Sequence, residues 1–373
     1  MSTTMENIKI NRNELVHVMY DGGVFAGKSK YMPVLDNVCI TTKGSRIRIE
    51  SSDSENYIRS YGICETTDDM SFCVNANEFE SYIGLLNDED ITMNYDSERN
   101  QLIIKHANGE INLHTTNANE FPVMKPMKES TTIDLSGEVL AEWLTTAGNF
   151  SMKGTNGIVL EGIYIYANTE FLGVCGGEHS QIFTARISNT DNIPDFGIVL
   201  PKSSASIMSR MCATSEKVTL MQDENALYIR TDNTIVYSRL LNLKYPNVDL
   251  LFNQMGHCHV TIEKSTLLQA VKRIESQTVK DDVSLHLHCT GSSLELNYDV
   301  IAEYSKHLSE NIPCDGDAFD DVIVNMKKFR NILSNYRGDK VLFHHDNSER
   351  SPFIFENKKE DSLELFLLAV MIG

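Results

Sequence analysis

The chain has 373 residues, 41% hydrophobic and 23% charged, the balance of an ordinary water-soluble protein with room for two or three domains. Its 52 acidic against 33 basic side chains give a formal charge of −19, which excludes a uniformly basic surface but not a basic face on an acidic body. No run approaches the ~18 apolar residues of a membrane span, and Met1–Leu15 lacks the apolar core of a secretion signal, so the expectation is a cytoplasmic protein with no membrane partner.

Six segments carry helical spacing, at 11–20, 75–86, 136–147, 201–212, 264–276 and 325–336. Asn11, Asn75, Ser136 and Asn325 open four of them with side chains that accept from the exposed first-turn N–H groups. Pro201 suits a first turn, where no N–H is needed. Between the helices the chain reads as strands. Residues 38–42, 46–50, 162–166 and 283–288 alternate at β-branched and aromatic positions. Gly44, Asn108-Gly109, Asp223-Glu224-Asn225, Gly291 and Asp346-Asn347 punctuate them as turns, predicting antiparallel hairpins in extended sheets.

The order strand, helix, several strands is repeated. Glu120-Phe121-Pro122 returns as Lys244-Tyr245-Pro246, 124 residues later, and a further 124 lands on Val370 in the apolar C-terminal run. Ser51–Glu55 shifted by the same amount falls on Cys175–His179, and the apolar leads to three helices, near Val74, Val199 and Ile323, keep a similar beat. A period this long exceeds the roughly 20–50 residues of solenoid units, so each copy has its own core. The expectation is an α+β chain of three similar domains, 1–128, 129–252 and 253–373, each with two helices and antiparallel sheets.

Chemistry-bearing motifs are sparse. The eight cysteines are scattered without a CxxC pair and sit in apolar runs, as buried reduced thiols do. His257-Cys258-His259 and His286-Leu287-His288-Cys289 place pairs on one strand face, but without CxxC or HExxH the expectation is no metal. His344-His345-Asp346 reads as hairpin surface, and Gly22-Gly23 and Gly176-Gly177 as turns. Paired carboxylates such as Asp53 and Glu55 fall in repeat-equivalent loops, and no nucleophile elbow, Walker loop or dinucleotide fingerprint is present. The expectation is no catalysis and no cofactor.

Along nearly its whole length the chain resembles the bacterial-type DNA polymerase sliding clamp, the β subunit of the replicative enzyme. The resemblance rests on Met32–Asn37, Asn119–Pro122, Phe150-Ser151-Met152, Leu160–Ile163, His179, Tyr237–Leu240 leading to Tyr245-Pro246, Asn325 with its helix, and Phe366–Met371. Each is short; their order, spacing and threefold placement are specific. The resemblance implies the DNA-clamp fold. Two copies would join head to tail, the first domain of one against the third of the other, in a ring whose helices line the hole and whose sheets form the outer wall. It further implies a processivity factor with four kinds of partner: double-stranded DNA, the replicative DNA polymerase, the clamp loader and other proteins carrying clamp-binding motifs.

A ring that holds DNA needs inward cations, because phosphates drive binding without base reading. The later helices supply Lys202, Arg210, Lys272, Arg273, Lys327 and Arg330, whereas 75–86 and 136–147 carry Glu78, Glu80, Glu138 and Glu142. Lys28 and Lys30 precede Met32-Pro33, where the family has a DNA-contacting loop. The resemblance also implies a partner-peptide groove between the second and third domains, lined by Leu160, His179, Pro246, Leu251, Leu368 and Met371 with Asn325 at its edge. Three departures bear on peptide preference. Ser180-Gln181 stands where the family has Arg-Leu, the tail ends Ala369–Gly373, and Lys328 occupies a position often held by tyrosine. The acidic charge leaves a second reading, a clamp-like scaffold that binds proteins only.

Overall fold

In the computed structural model the described residues are 6–371, apart from 28–31, 88, 127–130, 153–158, 253–255, 279–282, 301–305, 347, 349, 350 and 360. The expected helices form as α1 (Arg12–Gly22), α2 (Ala76–Leu85), α3 (Gly137–Phe150), α4 (Lys202–Cys212), α6 (Lys264–Glu275) and α7 (Met326–Asn335), with a one-turn α5 (Asp249–Phe252) that periodicity does not announce. Asn11, Asn75 and Asn325 cap as their chemistry predicts, accepting from Glu14, Glu78 and Lys328 N–H groups respectively. Pro201 lies one residue before α4, closing the strand Phe196–Pro201 rather than starting the helix.

The strands form two antiparallel sheets, of thirteen and twelve strands among the described residues. In the first, Asn56–Ile63 pairs with Thr234–Arg239, setting Tyr57 opposite Tyr237. In the second, Gln181–Ser188 pairs with Ser362–Leu368, setting Ile182 opposite Leu367. We call these two pairings seams, because each joins strands of different repeats. Compactness follows the seams. One unit is Met1–Glu142 with Ser206–Leu240, the other Trp143–Ala205 with Leu241–Gly373, so the middle repeat is shared between them.

The pair α1 and α2 covers one face of its sheet. In the first unit Leu15, Val18 and Met19 of α1 and Phe79 and Ile83 of α2 bury against Ile40, Ile49 and Ile91. Each such side chain contributes about 1.5–3 kcal/mol. Close packing explains glycines that sequence assigns to turns. Gly176 and Gly177 lie inside the strand Phe171–Glu178, and a Cβ on Gly176 would stand 2.1 Å from the Ala147 carbonyl oxygen of α3. Gly22 ends α1 with a Cβ position 2.6 Å from the Ile49 oxygen. Both glycines let a helix backbone touch a strand.

His344 and His345 also depart from expectation. Both are buried in the strand Lys340–His345, ahead of the turn. His344 accepts or donates between His259 and Glu356, Nε2 lying 3.0 Å from the carboxylate, while His345 stacks on Phe353 at 4.4 Å. Burial pushes both imidazoles below their ordinary pKa. Because the unfolded chain binds these protons more readily, stability is full above a pH of about 6.5 and falls as pH drops through the depressed native values. Thermal midpoints measured from pH 8 to pH 5 should decline below that point, and His345→Phe should flatten the decline. An unchanged slope in that variant would exclude His345 as a source.

Candidate nucleic-acid and partner surfaces

The cations expected on the helices meet different fates. Lys272 and Lys327 are exposed and have no acidic partner among the described residues. Arg210 lies over the Tyr20 ring at 4.4 Å and donates to its hydroxyl at 2.9 Å. Arg273 makes a two-pronged bond to Glu310, 2.7 Å on each prong, and Arg330 meets Glu275 at 3.0 Å. Lys202 donates to the Ser151 carbonyl at 3.1 Å. Exposed pairs of this kind are worth about 0–1 kcal/mol, so a phosphate can replace the carboxylate cheaply. No Lys or Arg lies on α2 or α3. Lys28 and Lys30 lie outside the described residues.

The groove residues gather on the second seam. Tyr245, Cys175, Val199 and Val248 form a buried cluster with Leu160, Tyr164, Ile182 and Leu241 around it. Tyr245 stacks flat on Tyr164, 4.8 Å between centroids, which carries the chain into Pro246 at the surface. Ile182 also packs against Phe252, Ile354, Leu365 and Leu367, linking two clusters. His179 is exposed at the tip between Phe171–Glu178 and Gln181–Ser188. Leu368 opposes Gln181 with no accessible surface and is therefore core, not lining as the family resemblance implied. Exposed apolar surface comes instead from Leu250 at 62%, Leu251 at 46% and Met371 at 36%. Sequence reading missed Ile182, Leu241 and Leu250; apolar residues flanking Tyr245-Pro246 in a loop were the available signal.

Hydrogen bonds tie the tail and α7 to the same hairpin tip. Ala369 N–H donates to the Ser180 carbonyl at 2.9 Å, and Met371 N–H to the Ile323 carbonyl at 2.7 Å. Lys328 Nζ sits 2.5 Å from Glu178 Oε1 and donates to Ser180 Oγ. Asn331 Nδ2 donates to Gln181 Oε1 at 3.2 Å. Ser180-Gln181 and Lys328, two of the three departures from the family pattern, thus share one polar cluster with Glu178 and Asn331.

Two strand edges complete the picture. Gly109–Asn117 pairs along one side with Gln101–His106, and on its other side only from Thr115 onward. Lys306–Gly316 pairs along one side with Ser293–Val300, and on its other side only from Cys314 onward. Residues 109–114 and 306–313 therefore each present an open edge among the described residues. Likewise among the described residues, no group of three His, Cys, Asp or Glu side chains is placed to hold a metal, all eight cysteines are free, and no helix is long and apolar enough to cross a membrane.

The family model described as the N-terminal domain of the DNA polymerase III beta subunit matches residues 6–125. The beta sliding clamp of Rickettsia bellii is 20% identical over 98% of this chain and 94% of its own length. That of Staphylococcus epidermidis is 20% identical over 98% and 99%. Among solved structures, a DnaN sliding clamp from Pseudomonas aeruginosa bound to griselimycin superposes with a TM-score of 0.90 at 15% identity, covering 99% of this chain and 100% of that one. The beta subunit of Streptococcus pyogenes gives 0.89 at 18%, covering 98% and 100%.

If the Lys328 clasp holds the hairpin tip to α7, Lys328→Ala should lower unfolding stability by about 1 kcal/mol, since both partners are half-buried. Urea unfolding would read the loss; a change within error would show that the tip is held by the seam alone.

Proposed function

We propose that the chain is a bacterial-type DNA polymerase sliding clamp, two copies of which close head to tail around duplex DNA and tether the replicative polymerase to it. The repeats 1–128, 129–252 and 253–373 act as its three domains, and the protein works in the cytoplasm. It is a tether and carries out no reaction.

The observation that carries ring closure is the pair of open edges. Asn56–Ile63 and Gln181–Ser188 are the first two members of a repeated series whose third is Lys306–Gly316. Thr234–Arg239 and Ser362–Leu368 are the later members of a series that begins with Gly109–Asn117. Two members of each series satisfy one another within the chain. The two left over are the two open edges, and an exposed strand edge is a template for pairing. A second copy offers the complementary edge for each, which closes a twofold ring without further surfaces.

DNA is held by its phosphates, through Lys272, Lys327 and Arg210 first, with Lys202, Arg273 and Arg330 exchanging their present partners, and Lys28 and Lys30 adding to them. Partner peptides of the polymerase, the loader and other motif-bearing proteins dock along Leu160, His179, Pro246, Leu251 and Met371, with Asn325 at the edge. The unbranched methionine adapts to related side chains.

The test is topological. In solution the chain should have about twice its 42.0 kDa mass, and once loaded it should stay on nicked circular DNA and leave when the circle is cut. Retention on linear DNA with free ends, or a monomer unable to load, would overturn the proposal. Charge reversal of Lys272 and Lys327 together should weaken DNA binding several-fold and flatten its dependence on salt, as removing phosphate contacts does. Met371→Lys should abolish binding of a partner peptide while leaving the ring mass unchanged; undiminished peptide affinity would remove Met371 from the groove.

A further inference from the structure

The repeat produces a second pair of equivalent sites that tethering does not use. At the end of the second seam away from His179, Phe171, Arg186, Lys358, Asp361 and Leu363 line a depression of about 470 Å³. The first seam ends in a depression of about 530 Å³ lined by Arg46, Tyr61, Ile63, Arg230, Asp232 and Ile235. The two correspond strand for strand. At the open end of the hairpin Arg46–Ser52 and Asn56–Ile63, Arg46 stands opposite Ile63, as Phe171 stands opposite Ser188 at the open end of Phe171–Glu178 and Gln181–Ser188. Arg230 opposite Ile235 closes one hairpin and Lys358 opposite Leu363 the other.

A cation therefore recurs at the base of this hairpin, and the first repeat has Lys105 there. Lys105 faces Glu110, its Nζ 3.9 Å from the carboxylate. Arg230 and Lys358 face Ile235 and Leu363 instead, and neither has an acidic partner among the described residues; nor does Arg46. Arg186 sits over the Phe171 ring at 4.2 Å with Asp249 no nearer than 3.8 Å, and its Nε makes no hydrogen bond. On a chain of charge −19, each depression thus presents cations that hold no ion pair among the described residues, Arg46 and Arg230 beside Glu14 and Asp232 in one and Lys358 beside Asp361 in the other.

We propose that these two depressions are docking sites for acidic peptide segments of partner proteins. A carboxylate meets Arg230 with Arg46 in one, or Lys358 with Arg186 in the other, while its stem rests on Ile63 and Ile235, or on Leu363 and the Phe171 ring. Arginine suits this role because its planar fork matches a carboxylate on two bonds. Asp232 and Asp361 within the depressions disfavour a phosphate backbone, whose charges are fixed along its length, and tolerate a peptide, whose carboxylates sit on flexible side chains that can turn away from them. The assignment does not require ring closure, so it stands or falls separately from DNA retention.

Fluorescein-labelled hexaglutamate, followed by anisotropy against the full-length protein at low ionic strength, is the direct probe. Saturable binding is expected despite the net repulsion. Arg46→Ser with Arg230→Ser, or Lys358→Ser alone, should each remove about half of the binding capacity, and Arg230→Ser with Lys358→Ser should weaken binding roughly three- to tenfold, while Leu85→Ser, at an exposed position away from both depressions, leaves it unchanged. Circular dichroism of these surface variants guards against misfolding. Absence of saturable binding, or full binding by the combined Arg230→Ser and Lys358→Ser variant, would overturn the proposal. So would displacement of hexaglutamate by an equal concentration of oligothymidylate with the same variant sensitivity, since the sites would then belong to nucleic acid.

Discussion

A strand edge left without a partner exposes a row of N–H and C=O groups, and this chain is arranged around satisfying such edges. Each seam turns two edges into one continuous sheet and draws side chains together behind it. Phe121 meets Tyr57 edge-on at 6.1 Å beside the first seam, and Phe183 packs against Phe366 at 5.0 Å within the second. Backbone pairing sets the register, and aromatic burial makes slippage costly, because a one-residue shift would turn each ring to the opposite face. The same logic leaves a third edge of each kind open. Oligomer formation is thus a continuation of the fold.

Charge follows a different rule. The surface is acidic as a whole, yet the helical cations concentrate on α4, α6 and α7, and most already hold a carboxylate or a carbonyl. In the proposed ring such cations would grip a polyanion weakly, and weak exchangeable contacts inside a closed path suit a sliding tether better than tight ones, since topology rather than affinity prevents loss.

The hairpin of Phe171–Glu178 and Gln181–Ser188 links both classes of protein contact. At its tip, Glu178, Ser180 and Gln181 anchor α7 and the tail and make one wall of the groove polar. At its base, Arg186 and Phe171 form the cationic depression. The strands between them are buried against α3, with Gly176 permitting the close approach. One hairpin therefore positions both surfaces proposed above, the apolar-peptide groove at one end and the acidic-peptide depression at the other.

Much of this was legible in the chain before folding. Helical spacing and the Asn11, Asn75 and Asn325 caps are short-range features, so residue order determined the helices and the hairpins, and the 124-residue beat is the ground for expecting three repeats. The resemblance of Leu160, His179 and Tyr245-Pro246 is what places the proposed groove. Other properties depend on residues far apart in the chain. Pairing of Tyr57 with Tyr237 and of Ile182 with Leu367 joins repeats across about 180 positions, and no local pattern specifies such a partner. Burial of His345, the closeness of Gly176 to α3, and the pairing of Arg273 with Glu310 likewise arise only when strands and helices meet. Composition and periodicity determined which elements form and that they recur; tertiary packing alone decided which edges close, which cations remain available and which apolar residues reach the surface.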